Sequence, residues 1–209
     1  MHVETNYIMD AIKGRRSRRA FSDRSISEDT VKDIIEAGRY APSALNKQPW
    51  KFIVIAKKEV IRELSEIIKE KTRKIARFLP LLKLLKFSLR DPQVIGAIKK
   101  TIAGGEDPVF YKAPLLIIIA SAKNSGPFAP KDCALASQNM MLYAHSIGIG
   151  SCYIGRADIL MMSGAAKRKI SLPAGDRIQC ALIFGYAAEG GNKAFAPERR
   201  RDNIINWVR

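Results

Sequence analysis

A chain of 209 residues, 47% of them hydrophobic, can bury one good core and leaves little room for a second. Its 36 Lys+Arg against 20 Asp+Glu give a formal net charge of +16, yet these residues are scattered from Lys13 to Arg209 with no finger, RNP-type strand or long basic arm, which argues against a nucleic-acid partner. Two readings of the charge remain, a membrane surface and phosphate-bearing ligands.

In chain order, Ile8, Ala11 and Ile12 recur at helical spacing and predict a short helix over residues 6–13, ending before Gly14. A polar, arginine-rich stretch follows over 15–23. Ser27 is a good N-cap, Glu28 and Asp29 favour the positive end of a helix dipole, and Val31, Ile34, Ile35 and Gly38 share one face. That helix should stop at Ala41, because Pro42 disfavours helical geometry in the residue before it. Residues 51–56 (KFIVIA) read as a strand and 59–77 as an amphipathic helix. Residues 78–89 (FLPLLKLLKFSL) set lysines into an apolar run, either a mobile lid with its lysines outward or a helix packed permanently on the protein.

Residues 115–120 (LLIIIA) lack polar alternation, as a central strand covered on both faces does. Small and apolar residues dominate a helix over 131–147, with Gly148 as its C-cap. Asp158 is a candidate N-cap for a further helix, 178–186 a third strand and 203–208 a short closing segment. Helices and strands mix without βαβ regularity, which predicts a three-layer α+β fold in one domain. Cys133, Cys152 and Cys180 are odd in number and lack metal-ligand spacing, so a reducing cytosol fits them. The start of the chain lacks the pattern of a secretory signal, and no apolar run approaches the ~20 residues of a spanning helix.

Two segments carry the chemistry. Residues 15–19 (RRSRR) place four guanidinium groups and a hydroxyl in five residues. Guanidinium forks match phosphate oxygens two at a time, so a phosphate monoester suits them; a solvated basic turn is the alternative. Residues 41–52 (APSALNKQPWKF) end a helix at Pro42, offer Ser43, Asn46 and Gln48 in a polar loop, and enter a strand through Pro49 and Trp50. Side-chain amides and hydroxyls suit the pyrimidine edge of a flavin, where N3 donates and O2 and O4 accept; an ordinary helix-to-strand loop with a packed Trp is the alternative.

RRSRRAF followed by APSALNKQPWKF, with a capped helix between, resembles the paired N-terminal signatures of the nitroreductase family of FMN enzymes. Residues 132–155 (DCALASQNMMLYAHSIGIGSCYIG) are similar to that family's central helix and the turn after it, and ERRRDNIINW to its basic tail. The resemblance implies a nitroreductase-like α-β-α sandwich with a mixed, mostly antiparallel sheet, assembled as an interlocked homodimer, with residues 77–111 as a variable, lid-like insertion. Arg15, Arg16 and Ser17 would hold the FMN phosphate and ribityl chain, and Arg19 would lie near flavin N1 and O2, where a fixed cation stabilises the reduced cofactor. Pro42, Ser43 and Asn46 would reach the flavin of the other subunit. Ile154 and Gly155 would supply the backbone near N5 and O4, and further phosphate cations would come from Arg199, Arg200 and Arg201. NADH or NADPH as reductant and a nitroaromatic, quinone or similar conjugated acceptor would use one open face in turn, by a ping-pong scheme. A flavin carrier or sensor at a membrane surface is the competing expectation.

Other motifs are set aside. Gly148, Gly150 and Gly155 follow a helix rather than a strand, unlike a Rossmann fingerprint. His145 lies inside a helix, where a structural role is expected, and Cys152 reads as a small packed residue without redox function.

Overall fold

The computed structural model describes residues 6–79, 91–190 and 199. Its centre is β2 (Leu115–Ser121), all of whose residues are buried. Strand alternation sends Leu115, Ile117 and Ile119 to one face and Leu116 and Ile118 to the other, so the unbroken apolar run feeds two cores at once. β1 (Lys51–Ile55), β3 (Gly150–Tyr153) and β4 (Arg177–Gly185) complete a sheet of order β1-β2-β4-β3 with antiparallel pairing throughout. The β2–β4 register shifts between Ile119 and Ala120. Among the described residues a parallel element enters only as an isolated bridge between Ser17 and Ser151.

On one face pack α2 (Glu28–Arg39) and α5 (Ala129–Ser146), which bring Val31, Ile34, Ala136 and Met140 against Ile117 and Leu182. On the other, α3 (Lys58–Arg77) supplies Ile61, Leu64 and Ile68, and a 3-10 stretch (Gly155–Met162) and α6 (Gly164–Lys169) close around them. α1 (Tyr7–Gly14) rests on α5, and α4 (Pro92–Ala103) on α3. The three layers expected from the sequence are therefore present.

Local signals act as expected at several ends. Ser27 Oγ accepts from the Thr30 N–H, and Gly148 follows α5 with φ +79°, a conformation that glycine reaches without a Cβ penalty. Other expectations need correction. Asp158 caps nothing: it falls inside the 3-10 stretch, and Ser163 caps α6 by accepting from the Ala166 N–H. β3 and α4 were not foreseen. β3 is four residues long, and its Gly-Ser-Cys-Tyr has none of the β-branched signal of the other strands. α4 starts from an Asp91 cap with Pro92 at its first position. The lid reading of 78–89 and the closing segment 203–208 fall almost wholly outside the described residues; of them only Phe78, exposed, and Leu79, half-buried, are described.

Ile118 has no exposed surface and sits in the sheet's central strand. Ile118→Ala should therefore lower unfolding free energy by about 2–5 kcal/mol, read as a lower denaturant midpoint at unchanged slope.

Candidate functional site

The arginine segment is a strap clasped to the ends of two strands. α1 closes with the Arg15 N–H donating to the Ala11 carbonyl at 3.0 Å. The Arg18 N–H then donates to the Ser151 carbonyl at 2.9 Å, and Ser22 to that of Tyr186 at 2.9 Å. Phe21 bridges Ala187 in antiparallel fashion. Main-chain bonds at both ends fix the backbone, so the guanidinium groups are carried where the sheet puts them.

Extended backbone alternates its side chains. Arg18 lies against Gly150, where an added Cβ would meet its Cγ at 2.9 Å. Ser17 and Arg19 belong with the opposite face: both act on the Cys152 thiol, and the Arg19 guanidinium lies 5.8 Å from the centroid of the Tyr111 ring. Arg16 turns back, donating from Nη1 to the carbonyls of Lys13 and Arg15.

A cleft of about 190 Å³ opens beside the strap, lined by Gly14, Arg15, Arg16, Arg18, His145 and Ser151 among others. Among the described residues no carboxylate lines it. Ser151 is 1% exposed and its Oγ makes no hydrogen bond among the described residues. His145 arrives from the last turn of α5 and crowds Gly14 so closely that a Cβ there would stand 2.7 Å from its Nε2. Burial first, and then Arg15, Arg18 and Arg16, hold the imidazole below its ordinary value, which keeps it neutral near pH 7. A larger cleft of about 300 Å³, bordered by Asp23, Lys58, Glu106 and Lys112, is a weaker candidate because its charges satisfy one another. Lys58 pairs with Asp23 at 2.6 Å and Lys112 with Glu106 at 2.8 Å.

The second polar segment sits elsewhere. Ser43 Oγ accepts from the Gln48 N–H at 3.0 Å, and Asn46 Oδ1 from Gln48 Nε2 at 2.9 Å. Leu45, Asn46 and Gln48 all take positive φ (55°, 53° and 44°), a costly run for non-glycine residues. The buried Asp132 carboxylate accepts from the Ala44 N–H at 3.3 and 3.4 Å, tying this loop to the first turn of α5. Pro42 and Asn46 are exposed, Leu45 is 88% exposed, and Trp50 is buried in the core. Asp132 and His145 are 13 residues apart on α5, so the loop and the arginine cleft lie about 20 Å apart along that helix.

Of the pair at 154–155, Ile154 donates its N–H to the Ala181 carbonyl at 2.8 Å, whereas the Gly155 N–H makes no hydrogen bond among the described residues. A Cβ on Gly155 would meet nothing within 4 Å, so its backbone faces open space. Cys152 is buried, and burial pushes its thiol up despite Arg19 and Ser17, as suits an inert packed residue. Arg199 is described only as exposed, and Arg200 and Arg201 fall outside the described residues. His145 and Ser151 are the site residues that sequence reasoning missed. A lone histidine inside a helix gives no functional signal, and Ser151 belongs to no motif.

Comparison with known proteins identifies the family. The family model described as "Nitroreductase family" matches residues 12–186. A protein provisionally named NADH dehydrogenase/NAD(P)H nitroreductase from Methanothermobacter thermautotrophicus is 28% identical over 92% of this chain and 84% of its own. One of the same name from Archaeoglobus fulgidus is 30% identical over 82% of this chain and 80% of its own. A crystal structure of a nitroreductase with bound FMN from Bacteroides fragilis superposes with a TM-score of 0.78 at 27% identity, covering 98% of this chain and all of that one. The chain belongs to the nitroreductase family.

Because folded His145 resists protonation, the unfolded chain takes up that proton more readily. Its contribution to stability is present above the ordinary imidazole value of 6.5 and is lost as pH falls below it. His145→Gln should flatten the loss of thermal stability between about pH 7 and pH 5, measured by melting in matched buffers.

Proposed function

We propose that the protein is an FMN-dependent oxidoreductase that takes electrons from NADH or NADPH and passes them, by a ping-pong scheme, to a nitroaromatic, quinone or similar conjugated acceptor. The observation that carries this reading is the arginine cleft, where cations and a buried hydroxyl converge without a carboxylate to balance them. The residues fit the cofactor. Arg15, Arg16 and Ser17 bind its phosphate and ribityl chain, with Arg16 swinging off the carbonyls of Lys13 and Arg15 to do so. Arg19, steadied by the Tyr111 ring, provides the fixed cation that favours the reduced cofactor. Gly155 offers an uncommitted backbone donor in open space, while Ile154 serves by shape because its own N–H is spent on the sheet. Bound FMN would supply the atom that accepts a hydride from the nicotinamide and returns it to the acceptor. Arg199 and Arg201 add phosphate cations from the C-terminal tail.

The enzyme works as a homodimer. Within one chain the 42–46 loop and the arginine strap are anchored near opposite ends of α5, so a site that uses both draws its loop from a second copy. Tyr7, Ile8 and Ile12 stand exposed along α1, an apolar surface that such a copy would cover. Three buried free cysteines suit a reducing compartment such as the cytoplasm.

Purified protein should be yellow, bleach anaerobically with NADH or NADPH, and recolour with a nitroaromatic or quinone. Yellow protein that neither nicotinamide bleaches would point to a carrier instead, and a colourless chain that ignores FMN would end the flavin reading. Arg15→Ala and Asn46→Ala should each remove most activity. Mixed dimers of the two should recover about a quarter of wild-type turnover, because half the dimers then hold one intact site; no recovery would place loop and strap in the same subunit's site.

A further inference from the structure

The net charge of +16 exceeds what one phosphate-bearing ligand calls for, and the fold does not spread it evenly. α3 is polarised along its length. Residues 58–68 carry Lys58 and Arg62 against Glu59, Glu63 and Glu66, whereas 69–77 carry Lys69, Lys71, Arg73, Lys74 and Arg77 against Glu70 alone. Ile61, Leu64, Ser65, Ile68 and Thr72 are buried, so residues 70, 73, 74 and 77, spaced by three and four, form the outward stripe. Glu70 is taken by Lys74 at 2.6 Å. Arg73 and Arg77 are exposed and have no acidic partner among the described residues.

α4 extends this basic end. Lys69 Nζ donates to the Gly104 carbonyl at 3.0 Å, which fastens the end of α4 beside the basic half of α3. Lys99 and Lys100, in the turn before Gly104, are exposed, and α4 itself contains no acid. Its composition is otherwise apolar, yet among the described residues it buries only Thr101; Val94, Ile95, Ile98 and Ile102 stay half-covered. Phe78, directly after Arg77, is 63% exposed. The helix dipole favours a cation in the last turn of each helix, but it does not call for a basic face edged with uncovered apolar side chains.

We propose that the C-terminal half of α3, together with α4, docks the protein on the surface of an anionic lipid bilayer. Arg73, Arg77, Lys99 and Lys100 meet the headgroup phosphates, and Phe78 enters the boundary between headgroups and acyl chains. A nucleic acid would satisfy the cations alone and leave the aromatic ring and the isoleucines in water, whereas a bilayer takes up both. The inference stands apart from the flavin reading, because none of these residues lines the arginine cleft.

Cosedimentation of the full-length protein with phosphatidylcholine vesicles, with and without phosphatidylglycerol, tests it. Wild type should sediment only with the anionic vesicles, and added salt should release it. A cation close to an anionic surface strengthens binding about fivefold, so Arg73→Gln with Arg77→Gln, or Lys99→Gln with Lys100→Gln, should each weaken partitioning about 25-fold. Phe78→Ala should weaken it severalfold and leave its salt dependence unchanged. Lys123→Gln with Lys131→Gln removes the same charge on the α5 side of the sheet and should weaken partitioning less than about twofold. All are surface changes whose thermal midpoints should match wild type, which confirms that the fold is intact. A control pair as damaging as the other two would mean that net charge binds the vesicles, and would overturn the docking face. So would wild type that stays in the supernatant with both vesicles; variants that then dissociate a dimer in sedimentation velocity would give the face to a second copy of the chain.

Discussion

Like charges held close together by a fixed backbone form the constraint around which this molecule is arranged. Free in solution, four guanidinium groups in five residues would spread apart and hydrate. Here the chain through them is held at Arg15 by the Ala11 carbonyl, at Arg18 by that of Ser151 and, just beyond, at Ser22 by that of Tyr186, so their backbone is fixed. The surroundings yield to them. Glycine at 14 and 150 lets an imidazole and an arginine stem come within contact distance, and the histidine beside them stays uncharged. Asp23 and Glu106 find lysine partners elsewhere, and among the described residues no acidic side chain lines this cleft. A protein that tolerates such repulsion when empty gains most of its electrostatic stability when an anion arrives.

The central strand was legible because it is made of residues that only a doubly covered sheet tolerates. Leu115 to Ala120 has no polar alternation, and all of it is buried. The helix caps at Ser27 and Gly148 were legible for the same reason, since each satisfies a single geometric need. β3 was not, because its small side chains are selected by what approaches them: Arg18 against Gly150, the strap against Ser151. Asp158 misled because an acidic residue before an apolar run resembles a cap whether or not the backbone turns there.

The site divides the same way. A run of arginines announces itself in any sequence, and the amide- and hydroxyl-bearing loop between two prolines nearly so. Asp132, His145 and Ser151 carry no signature; one is an acid in a helix, one a lone histidine and one a serine in a short edge strand. They matter through neighbours up to 133 positions away, Arg18 being 133 residues from Ser151 and Ala44 88 from Asp132, contacts that only the folded chain reveals.

α5 has a mechanical meaning beyond its role as core. One end grips the 43–46 loop through Asp132, the other presses His145 on the arginine strap, and 18 residues of continuous helix run between them. In an assembly where loop and strap serve different cofactors, such a rod is a lever spanning two reaction centres. Were two copies to pair as proposed, a tilt of that rod at one end would be felt by the strained loop at the other, and a single element would link the two centres.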